Sequence, residues 1–193
     1  MKKILLAITA IVTIGSLIIA CNANKAEEPV KLVAGKYTPE MVKRGEYLVT
    51  IMLCNDCHTP KIPGASGMGF DSSRLLSGHP ADEPIPQVDP EANKGWIYFN
   101  YGLTAIKGPW GTSFTRNLTS DTTGIGAWTE EQFKKALTQG KYKGLEGTRT
   151  LLPPMPWENF KNLKDEDVRD IFAYLKSTKP IENVVPEPLP PSE

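Results

Sequence analysis

The chain has 193 residues, 22 basic against 22 acidic side chains, and 40% hydrophobic residues. That length suits one domain with a buried core, and a formal net charge of zero gives no whole-chain reason to expect nucleic-acid binding. The balance conceals an asymmetry: Lys2 and Lys3 precede Ile4–Ala20, seventeen residues without a charge, so the remainder is slightly acidic.

Met1-Lys2-Lys3 followed by an apolar run has the n-region and h-region of a secretory signal. The run only marginally reaches the ~20 apolar residues of a membrane span. A retained anchor helix and a cleaved signal therefore compete. The run ends in Leu17-Ile18-Ile19-Ala20-Cys21, which resembles the lipobox of bacterial lipoproteins and favours cleavage. The resemblance implies that Cys21 becomes N-terminal and carries acyl chains. Residues 1–20 are then a lipoprotein signal peptide, and the protein is expected to be exported and membrane-anchored, facing the periplasm or the cell exterior. From Asn22 to about Lys36 the chain is polar and Pro-containing, so residues 21–36 form a lipidated tether.

Thr38 is placed to cap a helix with Pro39 at its first position, running through Met41, Leu48 and Ile51. The helix leads into Cys54-Asn55-Asp56-Cys57-His58, a C-x-x-C-H pattern. The chain has three cysteines; with Cys21 on the lipid, the other two are this pair and no thiol is left over. Two thiols on one helical turn reach the two vinyl groups of a haem, and the imidazole next to them turns under the iron. A thioredoxin-like redox pair would need a βαβ context, and the preceding segment does not read as a strand. A zinc site would need more ligands than the one further histidine, His79, supplies. The expectation is one covalently bound haem c per chain, on Cys54, Cys57 and His58.

From Pro60 to about Phe114 no helical period is sustained, Gly and Pro recur and no clear strand appears. A connection this long is unusual, and is expected to wrap the haem edge or to offer a partner surface. Helical signals return where Thr129 and Gln132 make a capping box and Trp128 and Phe133 a hydrophobic staple, ending before Gly140. A third helix is expected from near Lys164, its Val168, Ile171, Phe172 and Leu175 forming one apolar stripe. Five prolines between 180 and 191 make the tail a surface arm.

A sixth iron ligand is sought among His79, Met41, Met52, Met68 and Met155. Met41 and Met52 have core spacing, and Met68 lies in a loose Gly-rich run. His79, in Ser77-Gly78-His79-Pro80, stays a competitor. Met155 is favoured, because Pro153, Pro154 and Pro156 remove backbone freedom around a weakly binding thioether. Arg116, Asn117, Trp110 and Trp157 are candidate donors to the anionic propionates.

A helix bearing the motif, a later methionine and a C-terminal amphipathic helix match class I cytochromes c. Gly108–Asp121, then Thr123-Gly124-Ile125-Gly126-Ala127-Trp128, resembles haem domains in the multi-haem cytochrome subunits of bacterial membrane-bound alcohol dehydrogenases. The resemblance covers roughly Tyr47 to Pro180. It implies an all-α class I cytochrome c fold, with a long irregular loop region between the haem helix and the second helix. A mono-haem domain would fill 37–180, with 181–193 as a Pro-rich tail. One attachment motif rules out transfer between internal haems.

The function expected is that of an electron carrier and not an enzyme. Its redox partners would be a dehydrogenase, a quinol-oxidising complex or a terminal oxidase, with the membrane reached through the lipid and no nucleic acid involved. The rival is a haem enzyme, for sulfur-compound oxidation or peroxidase chemistry, with a labile sixth ligand. A gas or redox sensor would need a signalling domain that the sequence does not encode.

If Cys21 carries the anchor, Cys21→Ser should abolish the acyl mass on the N-terminal fragment, measured by mass spectrometry of membrane-extracted protein. Uncleaved, membrane-bound Cys21→Ser protein would instead identify a retained anchor helix.

Overall fold

Thr38 opens the first of the described helices: its hydroxyl accepts the Met41 N–H at 3.3 Å, and Pro39 follows at a position where no N–H is needed. The resulting helix, α1 (Pro39–Ile51), is followed by a short helix α2 (Cys54–His58). A computed structural model of the chain describes residues 36–64, 67–85, 89 and 95–191. The proposed signal peptide, Cys21 and the tether up to residue 35 lie outside the described residues. Among those described, no helix is long and apolar enough to cross a membrane.

The last long helix, α5 (Asp165–Ser177), begins with three acidic residues, which suit the positive end of a helix dipole. Its stripe of Val168, Ile171, Phe172 and Leu175 is buried as the spacing predicts, each at most 2% exposed. α5 crosses α1 at Gly45, where a Cβ would stand 1.9 Å from the Asp170 carbonyl oxygen. Beside that contact Arg44 donates to the Asp170 carboxylate at 2.7 Å and to Asp167. Those hydrogen bonds hold the guanidinium pKa above its ordinary value. Between them, α3 (Glu130–Gln139) starts at the expected capping box and ends on Gly140. Phe133 on α3 packs its ring 5.2 Å from that of Phe172. α4 (Trp157–Phe160) lies between α3 and α5 in the chain, after a 3-10 turn at Tyr142–Gly144.

The all-α expectation is overturned by the segment read as an irregular loop. It contains an antiparallel hairpin of β1 (Lys61–Gly64) and β2 (Gly67–Phe70), in register Lys61↔Phe70 to Gly64↔Gly67. It also contains an antiparallel meander of β3 (Tyr98–Phe99), β4 (Ala105–Gly108) and β5 (Gly111–Phe114). The reason is length and composition: none of the described strands exceeds four residues, too few for an alternating pattern to emerge. Gly, Pro and Lys within them also have low strand propensity. Tertiary contact decides instead. β5 is buried along its whole length, although Thr112 and Ser113 are polar.

The tail is not a free arm. Thr112 and Leu189 exchange two main-chain hydrogen bonds of 2.9 Å, and Val185 is buried beside Ala105 and Phe114.

Gly45→Ala should wedge α1 from α5 and destabilise the protein by about 1–3 kcal/mol, the usual range for overpacking. In a chain of this size that corresponds to a melting temperature lower by about 2–4 °C per kcal/mol, read by circular dichroism on heating.

Candidate functional site

α1 ends where Leu53 takes a left-handed conformation, φ 59°, and the chain restarts as α2. That break separates the two helices and lets the motif turn independently of α1. Cys54 and Cys57 lie one turn apart, both part-buried and neither in a disulfide. Burial pushes the Cys54 thiol up to about 11 and raises that of Cys57. Both thiols are protonated at neutral pH. A nucleophilic redox pair needs the opposite, a depressed thiol pKa.

His58 follows, and burial lowers its imidazole pKa. Its Nδ1 lies 2.7 Å from the main-chain carbonyl oxygen of Arg116. A carbonyl oxygen only accepts, so Nδ1 carries the proton and Nε2 keeps its lone pair. This is the tautomer that a metal ligand needs, and the carbonyl is the type of outer partner that orients ligating histidines. Two further contacts hold the end of the motif. Gly78 N–H donates to the His58 carbonyl at 2.8 Å, and Thr59 Oγ1 donates to Asn55 Oδ1 while accepting the Leu76 N–H. Gly78 has φ +79°, and a Cβ there would stand 2.5 Å from the Thr115 carbonyl oxygen. Only glycine suits that position.

These residues fit a covalently attached haem. Two unpaired thiols precede an imidazole of fixed tautomer, and the apolar Leu53 next to Cys54 in the chain is 62% exposed. Exposed apolar surface of this kind suits a flat hydrophobic macrocycle. Among the described residues, no group of three or more His, Cys, Asp or Glu side chains is arranged to hold a metal ion by itself.

Met155 is half-buried against the helical core and shares a cleft with Leu151, Pro153 and Trp157. Its loop is tied at several points. Leu151 N–H donates to the Gly140 carbonyl at 2.7 Å, Ser113 Oγ to that of Pro153 at 2.7 Å, and Trp157 N–H to that of Met155 at 2.9 Å. His79 is placed differently. It is 1% exposed, its N–H donates to the Thr115 carbonyl and its Nδ1 lies 3.0 Å from Thr104 Oγ1. Those bonds set it among the loops that grip the Nδ1 side of His58. Its Nε2 is buried and has no hydrogen-bond partner. Met41 and Met52 pack on the core as their spacing suggests, while Met68 stands on strand β2 rather than in a loose loop.

The suggested propionate donors are largely engaged within the protein. Arg116 donates to the Val185 carbonyl, Tyr142 Oη and Glu187. Both hydrogens of the Asn117 amide serve Thr123 Oγ1 and the Ile181 carbonyl. Trp110 Nε1 donates to Ser113 Oγ, which links it to the Met155 loop, and the Trp157 ring packs over Gly140. The sequence singles out Arg116 for its guanidinium, yet the carbonyl is the group that meets His58. A main-chain carbonyl carries no residue-type signature, so no pattern could have pointed to it. Tyr142, Gly78 and Asn183 escape sequence reasoning for the same reason: their partners come from distant segments.

A family model described as Cytochrome c matches residues 42–179. The chain is 30% identical over 185 residues to the fructose dehydrogenase cytochrome subunit of Gluconobacter japonicus, covering 94% of this chain and 30% of that protein. It is 32% identical over 143 residues to the alcohol dehydrogenase (quinone) cytochrome c subunit of Gluconobacter oxydans, covering 73% of this chain and 22% of that one. The gluconate 2-dehydrogenase cytochrome c subunit of Pantoea cypripedii is 30% identical over 136 residues, 70% of this chain and 22% of its own. The chain thus spans less than a third of the length of these relatives.

Burial also lowers the His79 pKa from its ordinary 6.5, against a smaller opposing pull from Glu83 and Asp82. Its stability contribution is complete above the unfolded value and is lost as pH falls through the folded one, because the unfolded chain takes the proton first. The free energy of urea unfolding of the wild type should therefore fall from about pH 6.5 downwards, by at most about 1.4 kcal/mol per pH unit between the two values. His79→Gln should flatten that slope.

Proposed function

The chain belongs to the cytochrome c family, and from that premise we propose that it carries single electrons on one haem c bound by Cys54 and Cys57, with His58 and Met155 as axial ligands. The observation that carries this reading is the His58 Nδ1 contact with the Arg116 carbonyl, beside two unpaired thiols one helical turn apart.

When bound, the haem supplies a reversible one-electron couple at iron. The chain's own residues then divide the work. Cys54 and Cys57 would hold the group through two thioethers, each S–H adding across a vinyl C=C so that sulfur bonds one carbon and the hydrogen goes to the other. Burial favours the neutral His58 imidazole, and the Arg116 carbonyl holds its proton on Nδ1, which leaves the Nε2 lone pair available to ligate iron. The tied, proline-bearing loop limits the entropy that Met155 loses on binding. A His58 and Met155 ligand pair would raise the reduction potential and leave small molecules no open site on the iron, which favours transfer over catalysis. Trp157, through its indole N–H, would serve the propionates, whereas the Arg116 guanidinium is taken up by Val185, Tyr142 and Glu187. Asn117 and Trp110 hold the neighbouring loops.

The relatives are cytochrome subunits of fructose, alcohol and gluconate dehydrogenases, which supports a membrane-bound dehydrogenase as electron donor. A quinol-oxidising complex would be an alternative donor, and a terminal oxidase an acceptor. Cys21 would carry the lipid, residues 21–36 the tether and 37–180 the mono-haem domain, on the periplasmic side or the cell exterior.

Mature protein should keep haem on the denatured gel band, and Cys54→Ser with Cys57→Ser should remove it. Oxidised wild type should show the weak near-infrared band of a thioether–ferric bond. Met155→Ala should abolish that band, lower the potential and open the iron to carbon monoxide, whereas His79→Ala should preserve it. The reverse pattern would overturn the ligand assignment. Rapid carbon monoxide binding by unmutated protein would place a haem enzyme ahead of a carrier.

A further inference from the structure

The residues after α5 cross both loops that hold His58. Asn183 sits astride Gly78: its Nδ2 donates to the Ser77 carbonyl at 2.7 Å and to that of His79 at 2.9 Å. Its Oδ1 accepts the Ala81 N–H at 3.0 Å, and its own N–H donates to Thr123 Oγ1 at 2.9 Å. The Val185 side chain is buried, and its carbonyl accepts Arg116 Nη1 at 2.9 Å. Glu187 accepts Arg116 Nη2 at 2.8 Å and the Tyr142 hydroxyl at 3.0 Å. Leu189 then pairs with Thr112 on β5, so the segment is anchored beyond Arg116 as well.

These bonds converge on one imidazole. The loop under Asn183 grips the His58 carbonyl through Gly78, and the residue under Val185 and Glu187 grips His58 Nδ1 through its own carbonyl. A main-chain carbonyl moves with its residue, and the Arg116 side chain is tied to the tail at two points. The tail therefore acts on the position of an atom it does not touch.

We propose that residues 181–191 form a clamp that sets the strength of the His58–Arg116 hydrogen bond and so tunes the electron affinity of the group that His58 ligates, with Asn183 and Glu187 as positioning residues. The proposal rests on His58 being the proximal iron ligand. A short Nδ1–H···O bond makes the imidazole more basic at Nε2, which favours the ferric state. Loosening the clamp weakens that bond, so the ferric state loses stability relative to the ferrous one and the potential rises.

The test uses the full mature protein carrying Asn183→Ala, a change that leaves the charge unaltered. The ferric-to-ferrous stability ratio should fall by about tenfold, the lower end of what outer hydrogen-bond partners do to metal sites, which reads as a rise of about 59 mV for one electron. The His58 ring N–H, followed by proton NMR, should exchange with solvent faster than in wild type. The thioether band should persist, because the Met155 loop is held by Ser113 and Gly140 instead. Glu187→Ala against Glu187→Gln separates position from charge: both remove the carboxylate's charge, but Gln keeps an acceptor for Arg116 and Tyr142. The Ala variant should therefore show the larger rise and the faster ring N–H exchange. An Asn183→Ala protein with a lower melting temperature but unchanged potential and ring N–H exchange would overturn the clamp. Absence of covalent haem in wild type would instead overturn the reading on which the clamp rests.

Discussion

One hydrogen bond organises the site: the His58 Nδ1–H on the Arg116 carbonyl, across 2.7 Å. A neutral imidazole has two tautomers, and only an acceptor opposite one nitrogen selects between them. That acceptor must be a carbonyl left over from secondary structure. β5 supplies it by ending at Phe114, where the ladder closes with Ala105↔Phe114 and Thr115 N–H bonds to Thr104. The next carbonyls are then available. Thr115 offers its own to His79 N–H, and Arg116 offers its own to His58. The meander thus serves the chemistry directly. It delivers two carbonyls to a place that a helix, whose carbonyls are internally bonded, could not supply.

The helices solve a different problem, which is rigidity. α1 and α5 approach closely enough that Gly45 lies under the Asp170 carbonyl, and Val49 beside that crossing is fully buried. The C-x-x-C-H motif sits directly past the end of α1, so its position is inherited from this contact. Leu53 breaks the helical path with a left-handed backbone, a conformation that costs of order 1–3 kcal/mol for a residue other than glycine. Main-chain hydrogen bonds from Leu53 N–H to the Thr50 carbonyl and from Asp56 N–H to the Leu53 carbonyl fix it in place. Such strain beside the motif keeps Cys54–His58 as a separate turn rather than a continuation of α1.

His79 and Met155 illustrate how similar local signals separate in three dimensions. Both stand next to proline, and each is a ligand candidate on residue type alone. His79 is bonded through its backbone to Thr115 and through Gly78 to the motif itself, on the side where His58 places its proton. Met155 hangs on a loop tied to Ser113 and Gly140, with an accessible cleft beside its thioether. Distance along the chain carries none of this distinction.

The sequence by itself determined the parts whose signals are local. The Thr38–Pro39 start of α1, the Thr129–Gln132 capping box, the Gly140 stop and the apolar stripe of α5 are all where short-range patterns put them. The C-x-x-C-H run likewise defines its own chemistry, because thiol spacing and an adjacent imidazole are properties of five consecutive residues. The short strands escaped because two- to four-residue strands are stabilised by partners rather than by their own alternation. The proline-bearing tail reads only as a surface arm because Asn183, Val185 and Glu187 acquire meaning from carbonyls, a buried face and a guanidinium contributed by residues 71 to 106 positions earlier. Tertiary structure alone decided which atom of Arg116 matters, since a side chain has a type that sequence reveals, while the direction of a peptide carbonyl is set by the fold around it.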